Sequence, residues 1–482
     1  MINSKKTFSS FVWRFLERTG AQGVTFVVSI ILARLLEPQI YGTVALVTVF
    51  TGILDVFVNH GIGNALIQKK DADDLDFSSV FYFNIILSLV LYLFMFSIAP
   101  YIARFYNNSG LTSIIRVMSL SVIVSSIKNV QQAYVSKNLM FKKFFFSTLG
   151  GTIGAAFIGI FMAYKGFGVW ALVSQRLFNE IVDTIILWGT VKWRPKKAFS
   201  LERLHTLLTY GWKLLVSALL DTGYAELRSL IIGKKYSAAD LAYYNKANTF
   251  PSVIVSNINS SIDSVLLPTM SAEQDNIVRV KNMTRRAIKT STFFIMPLMV
   301  GLAVCAKSIV RILLTDKWLP IVPYMRVFCF TYSLFPIHTA NLNAIKAVGR
   351  SDLFLKLEII KKIIGLIAIG TTMWFGVIWM AYSMIIVSVL SQIVNAYPNK
   401  RLLDYSYWDQ IIDIFPHALM SGIMGILVYG IQFLSFNVLW TLVIQVSVGI
   451  LVYLLEIIIL KPETYIYIRN LLRNFQNRKN SV

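Results

Sequence analysis

Gly168-Val169-Trp170-Ala171-Leu172-Val173-Ser174-Gln175-Arg176-Leu177-Phe178-Asn179-Glu180-Ile181-Val182-Asp183-Thr184-Ile185-Ile186-Leu187-Trp188-Gly189-Thr190 decides the fold class. It is long and apolar enough to cross a hydrocarbon layer of roughly 30 Å as a helix. Yet Arg176, Asn179, Glu180 and Asp183 recur at i, i+3, i+4 and i+7, which gathers them on one helical face. A polar stripe in an apolar run must turn toward protein or enclosed water, so the segment belongs to a bundle with a polar interior.

Comparable runs recur along the whole chain. Spans are expected at about 11–36, 42–66, 79–100, 112–136, 145–163, 168–190, 207–232, 241–270, 287–313, 324–347, 355–374, 376–397, 411–434 and 437–460, about fourteen in all. The 482 residues are 56% hydrophobic and only 15% charged, with a mean hydropathy of +0.63, which excludes a soluble enzyme. The expected class is therefore all-α: a polytopic membrane protein. The run after Lys5 and Lys6 carries no small-residue cleavage pattern and reads as the first span. Cys305 and Cys329 sit in apolar runs without metal-ligand spacing, so neither a metal nor a disulfide framework is expected.

The net charge of +22 divides by location. Twenty-six Lys and Arg fall on the side of the N-terminus and five (Arg104, Lys165, Lys234, Lys235, Lys317) on the other, which places both termini in the cytoplasm. Topology therefore accounts for most of the charge, and nucleic acid is not an expected partner. The longest basic loop, Val191-Lys192-Trp193-Arg194-Pro195-Lys196-Lys197, follows six spans and precedes six more. Phe167-Gly168-Val169-Trp170-Ala171 opens the sixth span and Phe375-Gly376-Val377-Ile378-Trp379-Met380-Ala381 the twelfth, while Glu37-Pro38-Gln39-Ile40-Tyr41-Gly42 echoes Ser237-Ala238-Ala239-Asp240-Leu241-Ala242. The expected organisation is a six-helix lobe at 1–190, a basic linker at 191–206, a second six-helix lobe at 207–397, a helix pair at 398–460 and a basic tail at 461–482. Two like-oriented six-helix halves are a transporter plan, with a central cavity between them.

Charges inside spans would mark that cavity. Arg14 and Arg18 share a face with Gln22; Lys128 lies on a face with Ser121, Ser125 and Gln132; Lys213, Asp221 and Arg228 line another. With Arg176 and Lys346 these cations make the expected vestibule more basic than acidic, which points to an anionic substrate. The bland reading, interhelical hydrogen bonds of about 0.6 kcal/mol each, fits any single Ser or Asn but not so many cations. Snorkelling to the inner surface competes for Arg14 and Arg18. Asp55, Glu180, Asp183, Asp221 and Asp263 have two readings: binding H⁺ or Na⁺ to couple transport to an ion gradient, or salt bridges to neighbouring cations. His338 is either a proton carrier or simply hydrogen-bonded in the bundle.

No Gly-x-x-x-x-Gly-Lys-Ser/Thr loop is present, so no nucleotide cofactor is expected. Asp71-Ala72-Asp73-Asp74-Leu75-Asp76 has the spacing of a metal-binding D-x-D but reads better as a hydrated acidic loop. Outer loops of roughly a dozen residues or fewer leave little room for a polymerase's acceptor chemistry, so the chain is not expected to be an enzyme. Tyr465-Ile466-Tyr467-Ile468-Arg469-Asn470-Leu471-Leu472-Arg473 reads as a basic amphipathic helix on anionic membrane lipids.

Ile31-Leu32-Ala33-Arg34-Leu35-Leu36-Glu37-Pro38-Gln39-Ile40-Tyr41-Gly42, with Asp55, Gly61-Ile62-Gly63, Ala65-Leu66-Ile67-Gln68-Lys69-Lys70-Asp71, Ile102-Ala103-Arg104-Phe105-Tyr106 and Gly166-Phe167-Gly168-Val169-Trp170-Ala171-Leu172, resembles the bacterial polysaccharide flippases of the multidrug/oligosaccharidyl-lipid/polysaccharide exporter superfamily, in the colanic acid exporter-like branch. The resemblance implies movement of an undecaprenyl-diphosphate-linked oligosaccharide across the bacterial cytoplasmic membrane by alternating access, for exopolysaccharide, capsule or O-antigen. It also implies a polysaccharide polymerase and assembly proteins as partners. A cation-coupled drug or metabolite exporter of the same superfamily, or a non-transporting scaffold, are the alternative readings.

Overall fold

The computed structural model describes residues 4–59, 62–434 and 436–480; Gly61 and the side chains of Lys5, Lys6, Leu471 and Leu472 lie outside the described residues. Eighteen α-helices are present among them: α1 Ser4–Leu35, α2 Pro38–Asn59, α3 Ile62–Gln68, α4 Asp74–Phe105, α5 Leu111–Met118, α6 Leu120–Lys137, α7 Phe141–Tyr164, α8 Val169–Thr190, α9 Leu201–Lys235, α10 Ala238–Ala272, α11 Ile277–Leu313, α12 Ile321–Ser333, α13 Phe335–Ala347, α14 Ser351–Thr372, α15 Val377–Leu402, α16 Tyr407–Gly430, α17 Val438–Leu460 and α18 Glu463–Asn480. Among the described residues, nine helical stretches are long and apolar enough to cross a membrane. Outside this set are α8, α9 and α10, each of which carries charged side chains along its length. The protein is an all-α, multi-pass membrane protein.

Capping side chains open several of the helices. Asp73 accepts from the backbone N–H groups of Leu75 and Asp76 while the Asp76 carboxylate takes the N–H of Asp73, a reciprocal box that opens α4; Ser406 and Asp409 open α16 in the same way. Two expected single spans are broken. The 112–136 segment divides at Ser119 into α5 and α6, and the 324–347 segment divides at Leu334, where Pro336 in the first turn of α13 lacks the N–H needed to continue α12.

The chain forms two compact units, Met1–Ala242 and Tyr243–Val482. This packing-defined boundary differs from the 191–206 boundary read from the repeat, because α9 lies along α2, α3 and α4. In the first unit α7 and α8 make the most extensive helix pair. Gly151 lets them close: a Cβ there would stand 2.8 Å from Asn179 Oδ1, the small-residue contact by which membrane helices approach. In the second unit α11 is the central element, packed on α12, α13, α16 and α17.

The acidic segment at 71–76 is not a free hydrated loop. Asp76 is fully buried and pairs with Lys69 at 2.7 Å and Arg203 at 3.6 Å; Asp74 pairs with Lys196 at 2.7 Å and accepts from Trp193 Nε1 at 3.2 Å. The backbone N–H groups of Lys196 and Ser200 donate to Ser78 and Ser79, so this acidic turn latches the basic linker to α4. The backbone N–H of Asp76 donating to Asp73 holds that carboxyl below its ordinary range.

Candidate functional site

The polar face of α8 meets α6 and α2 inside the first unit. Lys128 Nζ donates to Glu180 Oε2 at 2.5 Å and to Asp183 Oδ2 at 2.9 Å, and Lys128 is only 8% exposed. One turn before Glu180 along the same face, Arg176 Nη1 donates to Thr48 Oγ1 at 3.1 Å while its Nη2 stands 3.9 Å from Asp55 Oδ2, an ion pair without a close hydrogen bond. Asp55 Oδ1 and Asn179 Oδ1 are enclosed and take no hydrogen bond. Five of the residues expected to line a site, Lys128, Arg176, Asp55, Glu180 and Asp183, are thus brought together.

An amide ladder continues from this cluster. Asn129 Nδ2 donates to Asn59 Oδ1 at 2.9 Å, Asn59 Nδ2 to Ser125 Oγ at 3.1 Å and Asn84 Nδ2 to Asn129 Oδ1 at 3.3 Å. Asn59, Asn129 and Gln132 face a cavity of about 220 Å³ that also receives Arg14, Glu17 and Thr148. Arg14 pairs with Glu17 at 2.6 Å and lies over the rings of Phe141 and Phe144. Arg18 is exposed one turn further along α1.

The remaining candidates are placed differently. Lys213 and Asp221 occupy exposed turns of α9. Arg228, on the same helix, has Nε and Nη2 shielded from solvent with no acceptor. In the second unit, Asp263 Oδ1 accepts from Asn343 Nδ2 at 2.7 Å and exposed Lys346 lies 4.4 Å over the Phe354 ring. Neither of the last two belongs to the first unit's cluster. His338 is hydrogen-bonded to Asn395 and Ser388, in agreement with the simpler reading of a lone bundle histidine.

The expectation of a basic interior needs correction for the described cluster. Two cations, Lys128 and Arg176, face three carboxylates, Asp55, Glu180 and Asp183, because pairing across helices was invisible in a count of cations along single helices. Within the acidic run Asp73 caps α4, while Asp74 and Asp76 pair with Lys196 and Arg203.

A second ionic cluster went unread in the sequence. Asp413 on α16 receives Arg285 Nε at 2.7 Å, Arg285 Nη2 at 2.8 Å, Tyr405 OH at 2.9 Å and Lys289 Nζ at 3.0 Å. Lys289 also bonds Glu463 at 2.5 Å, and buried His417 is bracketed by Thr292 and Thr464. The available signal was Asp413 and His417 at i and i+4 within the apolar 411–434 run. Glu463, just beyond the last span, is held below its ordinary carboxylate range by the Lys289 hydrogen bond.

Residues 31–323 match the family described as "Polysaccharide biosynthesis protein". The chain belongs to that family. Curated relatives include the succinoglycan biosynthesis transport protein ExoT of Rhizobium meliloti (24% identical; 72% of this chain, 71% of ExoT), the teichuronic acid biosynthesis protein TuaB of Bacillus subtilis (25%; 86% and 87%) and the lipopolysaccharide biosynthesis protein WzxC of Escherichia coli (22%; 88% and 89%). Among solved structures, the lipid II flippase MurJ in an inward closed conformation superposes with a TM-score of 0.77 at 16% identity, covering 96% of this chain and all of MurJ. An inward-facing multidrug resistance MATE transporter superposes at 0.62 with 15% identity, covering 80% of this chain and 96% of that protein. The fold is the one these flippase and transporter structures share.

Proposed function

We propose that the protein moves a polyprenyl-diphosphate-linked oligosaccharide from the cytoplasmic to the outer leaflet of a bacterial cytoplasmic membrane, with fourteen spans and both termini in the cytoplasm. The observation that carries this reading is the set of guanidinium groups with spare donors inside an apolar bundle. Among the described residues Arg176 is ion-paired with Asp55 at 3.9 Å, and Arg228 encloses two nitrogens without an acceptor. A buried unmatched N–H costs about 1–3 kcal/mol, so such groups persist where a ligand supplies the missing oxygens. The planar fork of an arginine matches phosphate oxygens two at a time. The amide-lined cavity beside Arg14 offers donors and acceptors suited to sugar hydroxyls. The family match and the relatives concerned with exported polysaccharides favour the same substrate class.

Alternating access of the two repeat-defined lobes, 1–190 and 207–397, is the mechanism, and no bond is made or broken by the chain. Asp55, whose Oδ1 has no donor, is the proposed binder of H⁺ or Na⁺. A polysaccharide polymerase and assembly proteins would consume the product on the far side. The excess of carboxylates over cations around Lys128 favours a second reading, export of a small organic cation. The two are separated by measuring lipid-linked oligosaccharide sidedness in cells lacking the protein. Trapping on the cytoplasmic face, reversed by the intact chain, supports the flippase. Unchanged sidedness in a strain without another flippase refutes it and leaves cation export as the reading to test.

A further inference from the structure

Arg116 is the sixth residue of α5 and Arg326 the sixth residue of α12, the helices that follow the long apolar α4 and α11. The surrounding pattern is shared: Leu111, Ile115 and Met118 in one unit and Ile321, Met325 and Phe328 in the other are all buried, leaving the arginine on the opposite face. The geometry is shared as well. Arg116 Nε donates to the Phe96 carbonyl at 3.2 Å, nine residues before the end of α4, and Arg326 Nε donates to the Ala303 carbonyl at 3.2 Å, ten residues before the end of α11.

Each bond fixes a guanidinium by its Nε and does not use its Nη atoms. Arg116 is half-exposed, with its Cζ 3.9 Å over the Phe96 ring, and Arg326 is exposed. On the helices that carry these carbonyls and arginines, large apolar side chains are exposed: Val90, Leu93 and Phe94 on α4 by more than half, and Leu298 and Phe330 on α11 and α12 nearly so. In a membrane-spanning unit such surfaces face lipid. A 32-residue helix is about 48 Å long, so α4 centred on a ~30 Å hydrocarbon layer overhangs it by about 9 Å at each end. The Phe96 carbonyl then sits about 5 Å inside the layer, a depth from which an arginine reaches the phosphate level. An arginine facing lipid without a counter-charge is costly, and the same arrangement is built in both units.

We propose that each unit carries a binding site for the phosphodiester of an anionic glycerophospholipid, centred on Arg116 in the first and Arg326 in the second. On the topology proposed above both lie in the outer leaflet; the inference rests on that orientation and not on transport. At Arg116 the occupant has a shaped place: a cavity of about 420 Å³ walled by the hydroxyls of Ser109, Thr112 and Ser113 on one side and by Tyr92, Phe96 and Leu120 on the other. The hydroxyls suit phosphate and glycerol oxygens and the apolar wall suits the start of an acyl chain. No carboxylate lines it, so nothing there receives the amine of a zwitterionic headgroup. One guanidinium balances one phosphodiester charge, whereas a diphosphate carrier would call for more.

The test is lipid retention by the purified full-length protein, read by native mass spectrometry, with phosphatidylglycerol and phosphatidylcholine of matched chains. The intact protein is expected to retain two phosphatidylglycerol molecules in preference to phosphatidylcholine. Arg116→Gln and Arg326→Gln should each weaken one of them about tenfold, and the double variant should lose both. Arg→Lys at either position keeps the charge but not the fork and should give an intermediate loss, which guards against a folding defect in the Gln variants. Equal retention of the two lipids, or phosphatidylglycerol retention unchanged in the double variant, overturns the proposal. Displacement of phosphatidylglycerol by an equimolar polyprenyl monophosphate overturns the phospholipid assignment. Because no transport is measured, its failure is distinct from failure of the flippase reading.

Discussion

The two units each bury an ionic cluster, and the clusters differ in how completely they are satisfied. Around Asp413 both carboxylate oxygens receive two donors, from Arg285 and Tyr405 on one and Arg285 and Lys289 on the other. Around Arg176 and Asp55 the ion pair is long, one carboxylate oxygen has no donor and the neighbouring Asn179 oxygen has none either. A closed network ties α11, α16 and α18 together. An open one keeps donor and acceptor capacity in reserve, which suits the proposed passage of a charged ligand. The proposed site therefore rests on open donors and acceptors and not on burial of charge alone.

Four perturbations sharpen or break that contrast. The largest effect is expected from Lys128→Met, which leaves Glu180 and Asp183 without their shared cation: about 3–5 kcal/mol of stability lost and transport abolished, read by thermal unfolding in detergent and by a sidedness assay. Asp413→Ala should cost a similar ~3–5 kcal/mol by stranding Arg285 and Lys289, but transport per folded molecule should persist. Loss of transport in well-folded Asp413→Ala would erase the distinction between the clusters. Asp55→Asn should change stability by no more than about 0.5 kcal/mol, since its ion pair with Arg176 is 3.9 Å long, yet lower transport about tenfold. The smallest effect concerns α18. Glu463 has a depressed pKa through Lys289, so its contribution is complete above the ordinary carboxylate range and is lost as pH falls through the lowered value. Protease access to the α18 junction should rise only at acid pH, and Glu463→Gln should show that access at neutral pH.

Much of the fold was legible because it depends on local pattern. The stripe at Arg176, Asn179, Glu180 and Asp183 lies on one face of α8 as its spacing requires, and glycines on α7 allow the close packing that covers it. What escaped the sequence was tertiary. Counting Lys128 among free cations missed the two carboxylates that reach it from another helix. Arg285 lies outside the expected 287–313 span and Lys289 at its start, whereas α11 begins at Ile277 and carries both, facing Asp413. The 71–76 acidic run suggested hydration because its partners, Lys196 and Arg203, lie more than a hundred residues away. The equivalence of Arg116 and Arg326 emerged only from their matched bonds to a preceding helix.

The most direct test uses purified protein in liposomes loaded with a fluorescent polyprenyl-diphosphate oligosaccharide, comparing transbilayer movement by the intact chain with an Arg176→Gln, Arg228→Gln double variant at equal reconstitution and equal thermal stability. The account predicts movement by the intact chain and at least a tenfold loss in the variant, two guanidinium–phosphate contacts being worth more than about 1.4 kcal/mol together. Equal movement by both proteins would contradict the claim that the open arginines of the first unit carry the substrate.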